Sequence, residues 1–537
     1  MTAAEPATGT EPDPAAAPRA AVPAGRHLRV AVVGAGFAGL AVAHRLRTAG
    51  IEDFVVLERG RTVGGTWREN TYPGCGCDIP SHLYSFSFAP NPAWSRSFSR
   101  QPEILRYLEG VARRLDLERH VVLDTDVTGS HWEDDAARWR VTTNRGELTA
   151  DVLVGATGPL TEPRLPLVPG LAEFDGPVFH SARWRHDVDL TGRRVAVVGT
   201  GASAIQIVPQ LARTVDRLVL FQRTPPWVIP KTDRRITGVE QALYRRVPAA
   251  QRAVRAFQYT FRESGVPGFV FRPRLMAGGE AVALRHMHRT IKDPAMREKL
   301  TPDYRIGCKR ILPSNDFYPA LLEPNVELVA SALAAVRGRR AVAVDGSSFE
   351  VDAIVLGTGF DITDRPGAER VFGREGLPLS EVWDRNGRAA LRSTTVAGFP
   401  NLFLMLGPNS GLGHNSMVYV IESQAAYVVD AVQAIAAHRL AAVEPTEAAQ
   451  RRWTDAVQRR MAGTVWQNGG CASWYQDPDG RNTALWPGFT FRFRTLTRHV
   501  DLREYEGRPA DPAIAAARAA SPSARPAGVA ARAGSAR

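Results

Sequence analysis

Leu28-Arg29-Val30-Ala31-Val32-Val33-Gly34-Ala35-Gly36-Phe37-Ala38-Gly39 is a β-branched run that breaks into glycines at the spacing G-x-G-x-x-G, and an apolar helical pattern from Leu40 to Leu46 follows at once. That order reads as strand, tight turn and helix. A second strand is expected over Asp53 to Leu57, ending in Glu58, 24 residues after Gly34. The whole arrangement recurs downstream. Val195-Ala196-Val197-Val198 runs into Gly199-Thr200-Gly201-Ala202-Ser203-Ala204, a helix is expected through Leu211, and Leu218 to Phe221 is the next strand. The position 24 residues after Gly199 is Arg223, so a guanidinium stands where the first copy has a carboxylate.

Such glycines permit a tight turn and a close approach of backbone to pyrophosphate, and the helix N-terminus offers unpaired amides to the anion. The residue behind the loop then selects the nucleotide. A carboxylate accepts from ribose hydroxyls and repels a ribose phosphate, whereas arginine pairs with that phosphate. The first copy therefore reads as an FAD site, built on Gly34, Gly36, Gly39, Glu58 and Arg59. The second reads as an NADPH site, built on Gly199, Thr200, Gly201, Ser203, Gln206, Arg223 and Thr224, with Ala204 at the third glycine position. The fold class is α/β: two Rossmann-like dinucleotide-binding domains, the second inserted in the first.

Two further strands, Asp151 to Val154 and Asp352 to Leu356, each end in glycine-rich turns and read as returns between the copies, which sets borders near Pro163 and Asp345. The first domain is then 26–162 plus 345–507 and the second 163–344. Within the second, about 239–300 is arginine-rich and helical in period. It reads as a structural cap, with a substrate-shaping lid and a membrane-surface helix as alternatives. The ends, 1–25 and 508–537, are rich in Ala and Pro and read as disordered tails.

Composition narrows the class. Of 67 Lys and Arg residues only Lys231, Lys292, Lys299 and Lys309 are lysines, and the arginines are scattered, so the net charge of +12 does not form a nucleic-acid stripe. The apolar stretch from Met417 to Ala442 is interrupted by Glu422, Asp430 and His438, which argues against a membrane span. Cys75, Cys77, Cys308 and Cys471 give no zinc-ligand spacing, no metal is expected, and a reducing cytoplasm is the expected setting. The start of the chain has no signal-peptide pattern.

Between the two copies lies Gly64-Gly65-Thr66-Trp67-Arg68-Glu69-Asn70-Thr71-Tyr72-Pro73-Gly74-Cys75-Gly76-Cys77-Asp78. This stretch resembles the N-terminal fingerprint of Baeyer–Villiger monooxygenases, with Gly65, Trp67, Tyr72, Pro73, Gly74 and Asp78 at the required spacing. A second family fingerprint is met by Phe174, Gly176, His180 and Trp184 and departs at Arg185. Gly307-Cys308-Lys309-Arg310 is similar to the family's Lys-Arg segment, and Phe221 to Trp227 to its phosphate-binding turn.

The resemblance implies an oxygen insertion next to a ketone carbonyl, through a C4a-peroxyflavin, giving an ester or lactone from ketone and O2. Arg310 would be the catalytic cation and Asp78 its holder. Lys309, Arg310, Arg223 and Thr224 would contact NADPH, and Gly65, Thr66, Trp67, Asp78, Tyr84 and Met417 the FAD. His180 is implied in domain coupling, and His414 is read as structural. The alternative is a flavin-containing monooxygenase performing N- or S-oxygenation or hydroxylation, for which Arg310 is unnecessary. A disulfide reductase is less consistent, because Cys75 and Cys77 are poorly spaced. The protein is expected to be a monomer or weak oligomer that does not insert stably in membranes.

Overall fold

A parallel strand buried on both faces must be apolar along its length, and β1 (His27–Val33) meets this with Val30, Ala31 and Val32 fully buried. The computed structural model describes residues 25–361 and 366–511, so the expected tails fall almost wholly outside the described residues. From β1 the chain turns into α1 (Phe37–Thr48) and β2 (Phe54–Leu57), then α2 (Thr66–Glu69) and α3 (Gln101–Arg114). β3 (Val121–Val122), β4 (Val127–Glu133), β5 (Arg138–Thr143) and β6 (Gly146–Gly155) follow.

The second unit begins with β7 (Val178–His180) and β8 (Arg194–Val198), then α4 (Ala204–Leu211), β9 (Arg217–Phe221) and β10 (Val228–Ile229). Its helical insert comprises α5 (Gly238–Arg246), α6 (Pro248–Glu263), a π turn at Pro267–Phe271, α7 (Ala277–Thr290) and α8 (Pro294–Leu300). β11 (Leu312–Pro313), β12 (Val326–Val329), the antiparallel strands β13 (Leu333–Arg337), β14 (Arg340–Ala343) and β15 (Ser348–Glu350), and β16 (Ala353–Leu356) complete it. The chain returns through β17 (Val371–Phe372), β18 (Leu402–Leu404), the long α9 (Met417–Ala437), β19 (Leu440–Pro445), α10 (Thr490–Leu496) and β20 (Tyr505–Pro509).

The first sheet runs β17-β4-β5-β6-β1-β2-β3, with β18 joined to the C-terminal half of β6. β1 lies parallel between β2 and β6, Val30 opposite Phe54 and Val152. The second sheet runs β12-β9-β8-β16-β7 and is parallel throughout. Each glycine loop thus leaves the carboxyl end of a central strand, where open α/β sheets bind ligands. One continuous cluster of buried side chains joins the two units, from Val30 and Leu40 through Trp94 to Val195 and Ile207.

Two boundaries differ from the sequence reading. β16 was expected in the first domain, beyond a border at Asp345; its Ala353–Leu356 instead lie in register with Val195–Val198, so the second sheet holds the chain to Leu356. The tail expected from 508 is contradicted at its start, because Arg508 and Pro509 pair with β19.

Candidate active site

The two glycine loops stand at the carboxyl ends of β1 and β8, the central strands of the two sheets. Gly36 forms the N-cap of α1 with no side chain over the helix start, and Ser203 does the same for α4 without a capping hydrogen bond. Both helices therefore present open amides at the carboxyl edge of their sheets. Behind the first loop Glu58 is buried, its Oε2 accepting from the Ala35 amide at 2.8 Å and its Oε1 from Gly60 N and Arg68 Nη1. Gly65, at φ +53°, lets the fingerprint backbone lie against Gly36, where a Cβ would stand 3.0 Å from the Gly36 Cα. Thr66 and Trp67 then begin α2, and Trp67 Nε1 donates to the Tyr84 hydroxyl at 3.1 Å.

Arg310 and Asp78 meet although 232 positions separate them in the chain. Nε and Nη2 of Arg310 each donate to one Asp78 oxygen at 2.9 Å, and Nη1 donates to the Leu412 carbonyl at 3.1 Å. The side chains keep 29% and 24% of their surface, so the pair borders open space. Burial works to raise the Asp78 carboxyl, but the Arg310 charge and its hydrogen bonds overrule it and hold the group below the ordinary carboxylate range. For Arg310 the balance is mirrored: burial opposes the charge, Asp78 sustains it, and the guanidinium titrates above its usual value.

Local structure explains the meeting. Gly307, at φ +93°, turns the chain where any Cβ would strike the Phe269 ring at 2.8 Å. Immediately after Arg310, β11 pairs in parallel with β10, Leu312 opposite Val228. The same pairing brings in Lys231, just beyond β10, whose Nζ reaches the Cys77 carbonyl at 3.4 Å. From α6, Arg262 donates to the Asp78 carbonyl at 3.3 Å. Three cations therefore surround one carboxylate.

The sequence reading did not select Lys231, Arg262 or Tyr475. Lys231 carried a faint signal as one of four lysines. Tyr475 is buried close enough to Arg310 that burial pushes its hydroxyl up to about 12 while the guanidinium pulls the other way. Nothing in spacing pointed to Tyr475 or Arg262, which arrive from distant segments.

At the second loop, Gly199 receives a hydrogen bond geometry like that of Gly34: its amide donates to Phe221 O at 3.0 Å, as the Gly34 amide donates to Leu57 O at 2.7 Å. Thr200 Oγ1 donates to the Thr224 carbonyl at 3.0 Å. Arg223 is exposed and, among the described residues, has no ion-pair partner. It lines a depression of about 280 Å³ with Thr224, Lys299 and Thr301, and with Glu298 and Asp303 on the same rim. The Lys309 ammonium lies over the Tyr304 ring at 4.9 Å, and its pKa is lowered by burial and then by the charge of Arg223. Two cations converging without a bonded carboxylate suit a phosphate.

Other expected residues have different partners. Gln206 exchanges hydrogen bonds with both backbone groups of Gly76 at 3.1 Å and accepts from the Tyr72 hydroxyl, so its amide joins the two units. Arg59 is ion-paired with Glu162 at 2.7 Å. Met417 is the first residue of α9, and Gly201 is open on its Cβ side. His414 Nε2 lies 3.3 Å from Glu263, a buried carboxylate that also accepts from Asn415 and Thr490, which fixes the end of α6 against the α9 loop.

The cysteines separate into two kinds. Cys75 and Cys77 are buried thiols, each pushed up to about 12 by burial, which leaves no thiolate for redox exchange. Cys308 and Cys471 form a disulfide with their Cα atoms 6.2 Å apart. Such bonds are uncommon in reducing compartments, so this one stands against the setting expected from the cysteine count. Among the described residues no cluster of His, Cys, Asp and Glu could hold a metal ion, and no helix is long and apolar enough to cross a membrane.

A carboxylate behind one glycine loop and an arginine behind the other define the class of two-nucleotide flavoprotein oxidoreductases. The sequence profile described as pyridine nucleotide-disulphide oxidoreductase matches residues 31–252. A Baeyer–Villiger monooxygenase of Streptomyces coelicolor is 54% identical, over 92% of this chain and 95% of that one. One of Pseudomonas aeruginosa is 48% identical, over 93% of each. A solved steroid monooxygenase bound to NADP superposes with a TM-score of 0.80 at 32% identity, over 90% of this chain and all of that one. The chain belongs to the Baeyer–Villiger monooxygenase family.

Proposed function

We propose that this chain inserts one atom of O2 beside the carbonyl of a small ketone, forming an ester or lactone, with Arg310 as the catalytic cation and Asp78 as the residue that holds it. The protein is an FAD-dependent, NADPH-consuming monooxygenase. FAD reduced by NADPH supplies the activation of O2, and the chain supplies position and charge.

The observation that carries the reading is the two-point contact between Arg310 and Asp78. A guanidinium stays charged at any working pH and offers several donors, so it can steady an anionic attacking oxygen and the oxyanion formed at the substrate carbonyl. Asp78 fixes its orientation, and Arg262 and Lys231 keep the surroundings positive. Gly34, Gly36 and Gly39 with Glu58 would hold the FAD pyrophosphate and ribose. Trp67 and Tyr84 would back its ring. Arg223, Thr224 and Lys309 would hold the NADPH phosphate.

The same reading takes the enzyme as a monomer or weak oligomer. Its need for NADPH, regenerated inside cells, supports a cytoplasmic setting, with Cys308 of the disulfide shielded by burial. The test is a panel of ketones, sulfides and amines under 18O2 with mass detection. One labelled atom in an ester or lactone is expected; sulfoxides or N-oxides alone would replace this reading with the heteroatom one.

A further inference from the structure

α6 is amphipathic in an inverted sense. Five of its polar side chains face inward: Gln251 bonds to His82 and Asn91, Arg255 to the carbonyls of His82 and Ser85, Tyr259 to Thr490, Arg262 to Asp78 and Glu263 to Thr490. Its outward face instead carries Phe257 and Phe261, 71% and 70% exposed, one turn apart and stacked at 6.3 Å between ring centroids. Water disfavours that arrangement, and two large bare rings on one helix face mark a contact surface.

The surface continues past the helix end. Phe271, 59% exposed, lies against Phe489 at 6.0 Å, and Phe489 against Phe491, 52% exposed, at 5.1 Å. Thr490, between those two phenylalanines, is bonded to Glu263 at the end of α6, so the second group of rings adjoins the C-terminal end of that helix. The charge around them has one sign. From Leu243 to Gly279 there are seven arginines and one acid, Glu263, which is buried. Arg245, Arg246, Arg252, Arg272 and Arg274 are exposed, and Arg492 beside Phe491 is close enough to Arg460 for their charges to repel.

We propose that this face docks on an anionic lipid bilayer. Aromatic rings in the headgroup and upper acyl region, with arginines on the phosphates, are the chemistry of helices that lie in a membrane surface. A second copy fits poorly, because it would set one arginine-rich field against another. The arrangement also serves the proposed reaction: the helix that presents Phe257 and Phe261 outward touches Asp78 with Arg262, so an apolar ketone dissolved in the bilayer would lie one helix away from Arg310.

The experiment uses the FAD-loaded full chain in flotation with vesicles of phosphatidylcholine alone and of phosphatidylcholine with phosphatidylglycerol. Binding is expected to the anionic vesicles only and to weaken with salt. Phe257→Ser with Phe261→Ser should reduce it roughly tenfold, leaving turnover of a water-soluble ketone unchanged. Arg272→Glu with Arg274→Glu, which leaves the α6 rings in place, should also reduce it. Failure of the wild-type protein to bind anionic vesicles overturns the proposal, as does undiminished binding by both variants or a lipid-free dimer abolished by the Phe257 and Phe261 changes. None of these outcomes depends on which substrate is oxygenated.

Discussion

Arg310 lays two donors, Nε and Nη2, on the two oxygens of Asp78 at 2.9 Å each, while its remaining nitrogen is held by the Leu412 carbonyl. Such a fork fixes the plane of the guanidinium as well as its charge. The two residues should therefore behave as a unit. Asp78→Ala is expected to lower ketone turnover by about a hundredfold or more, and adding Arg310→Ala should cost little beyond Arg310→Ala alone. Steady-state product formation in the four-member cycle checks this; losses that multiply would show independent roles.

Arg223 has no ion-pair partner among the described residues and shares its depression with Thr224. Arg223→Ala should raise KM for NADPH by about ten- to a hundredfold, the range of a lost charged hydrogen bond, and leave KM for NADH nearly unchanged. Equal effects on both coenzymes would remove Arg223 from the phosphate site.

Two imidazoles make stability depend on mild acid. His82 and His180 are each brought down to about 4 by burial, and His82 Nδ1 lies 3.1 Å from the Gln251 amide nitrogen, which suits a neutral acceptor ring. The unfolded chain binds these protons below about 6.5 and the folded chain does not. Their contribution is thus complete above about 6.5 and is lost as pH falls toward about 4, at up to about 1.4 kcal/mol per pH unit for each ring. Melting temperature should fall across that window, and His82→Gln should flatten part of the slope. An unchanged pH profile would mean that His82 protonates in the folded state.

The disulfide between Cys308 and Cys471 ties the segment leading into Lys309 and Arg310 to a chain region 163 residues away. Cys471→Ser should cost about 2–4 kcal/mol of stability. A reducing agent should destabilise the wild type and leave the variant unaffected. Equal melting of wild type and variant under oxidising conditions would show that the bond carries no stability.

The features legible in the sequence were those set by local chemistry. Gly34 and Gly199 mark turns after β-branched runs, and Glu58 and Arg223 stand at equal distances behind them, because strand, turn and helix are specified within some thirty residues. Asp78 and Arg310 were each legible through family motifs. Lys231, Arg262 and Tyr475 join them only through tertiary packing: a two-residue strand pairing, an inserted helix and a C-terminal loop. The same cause hid the disulfide, since its partners share no local pattern. The border at Asp345 failed because Ala353–Leu356 are equally apolar for either sheet, and only pairing with Val195–Val198 decides between them.

The central claim is that the charge of Arg310 is needed for oxygen transfer and not for nucleotide binding. The direct measurement is the ratio of ketone product formed to NADPH consumed by Arg310→Ala, with FAD occupancy followed by flavin absorbance. FAD retention, continued NADPH oxidation with hydrogen peroxide released, and no ester or lactone are the results this account requires. Ester or lactone formed at the wild-type ratio would contradict it.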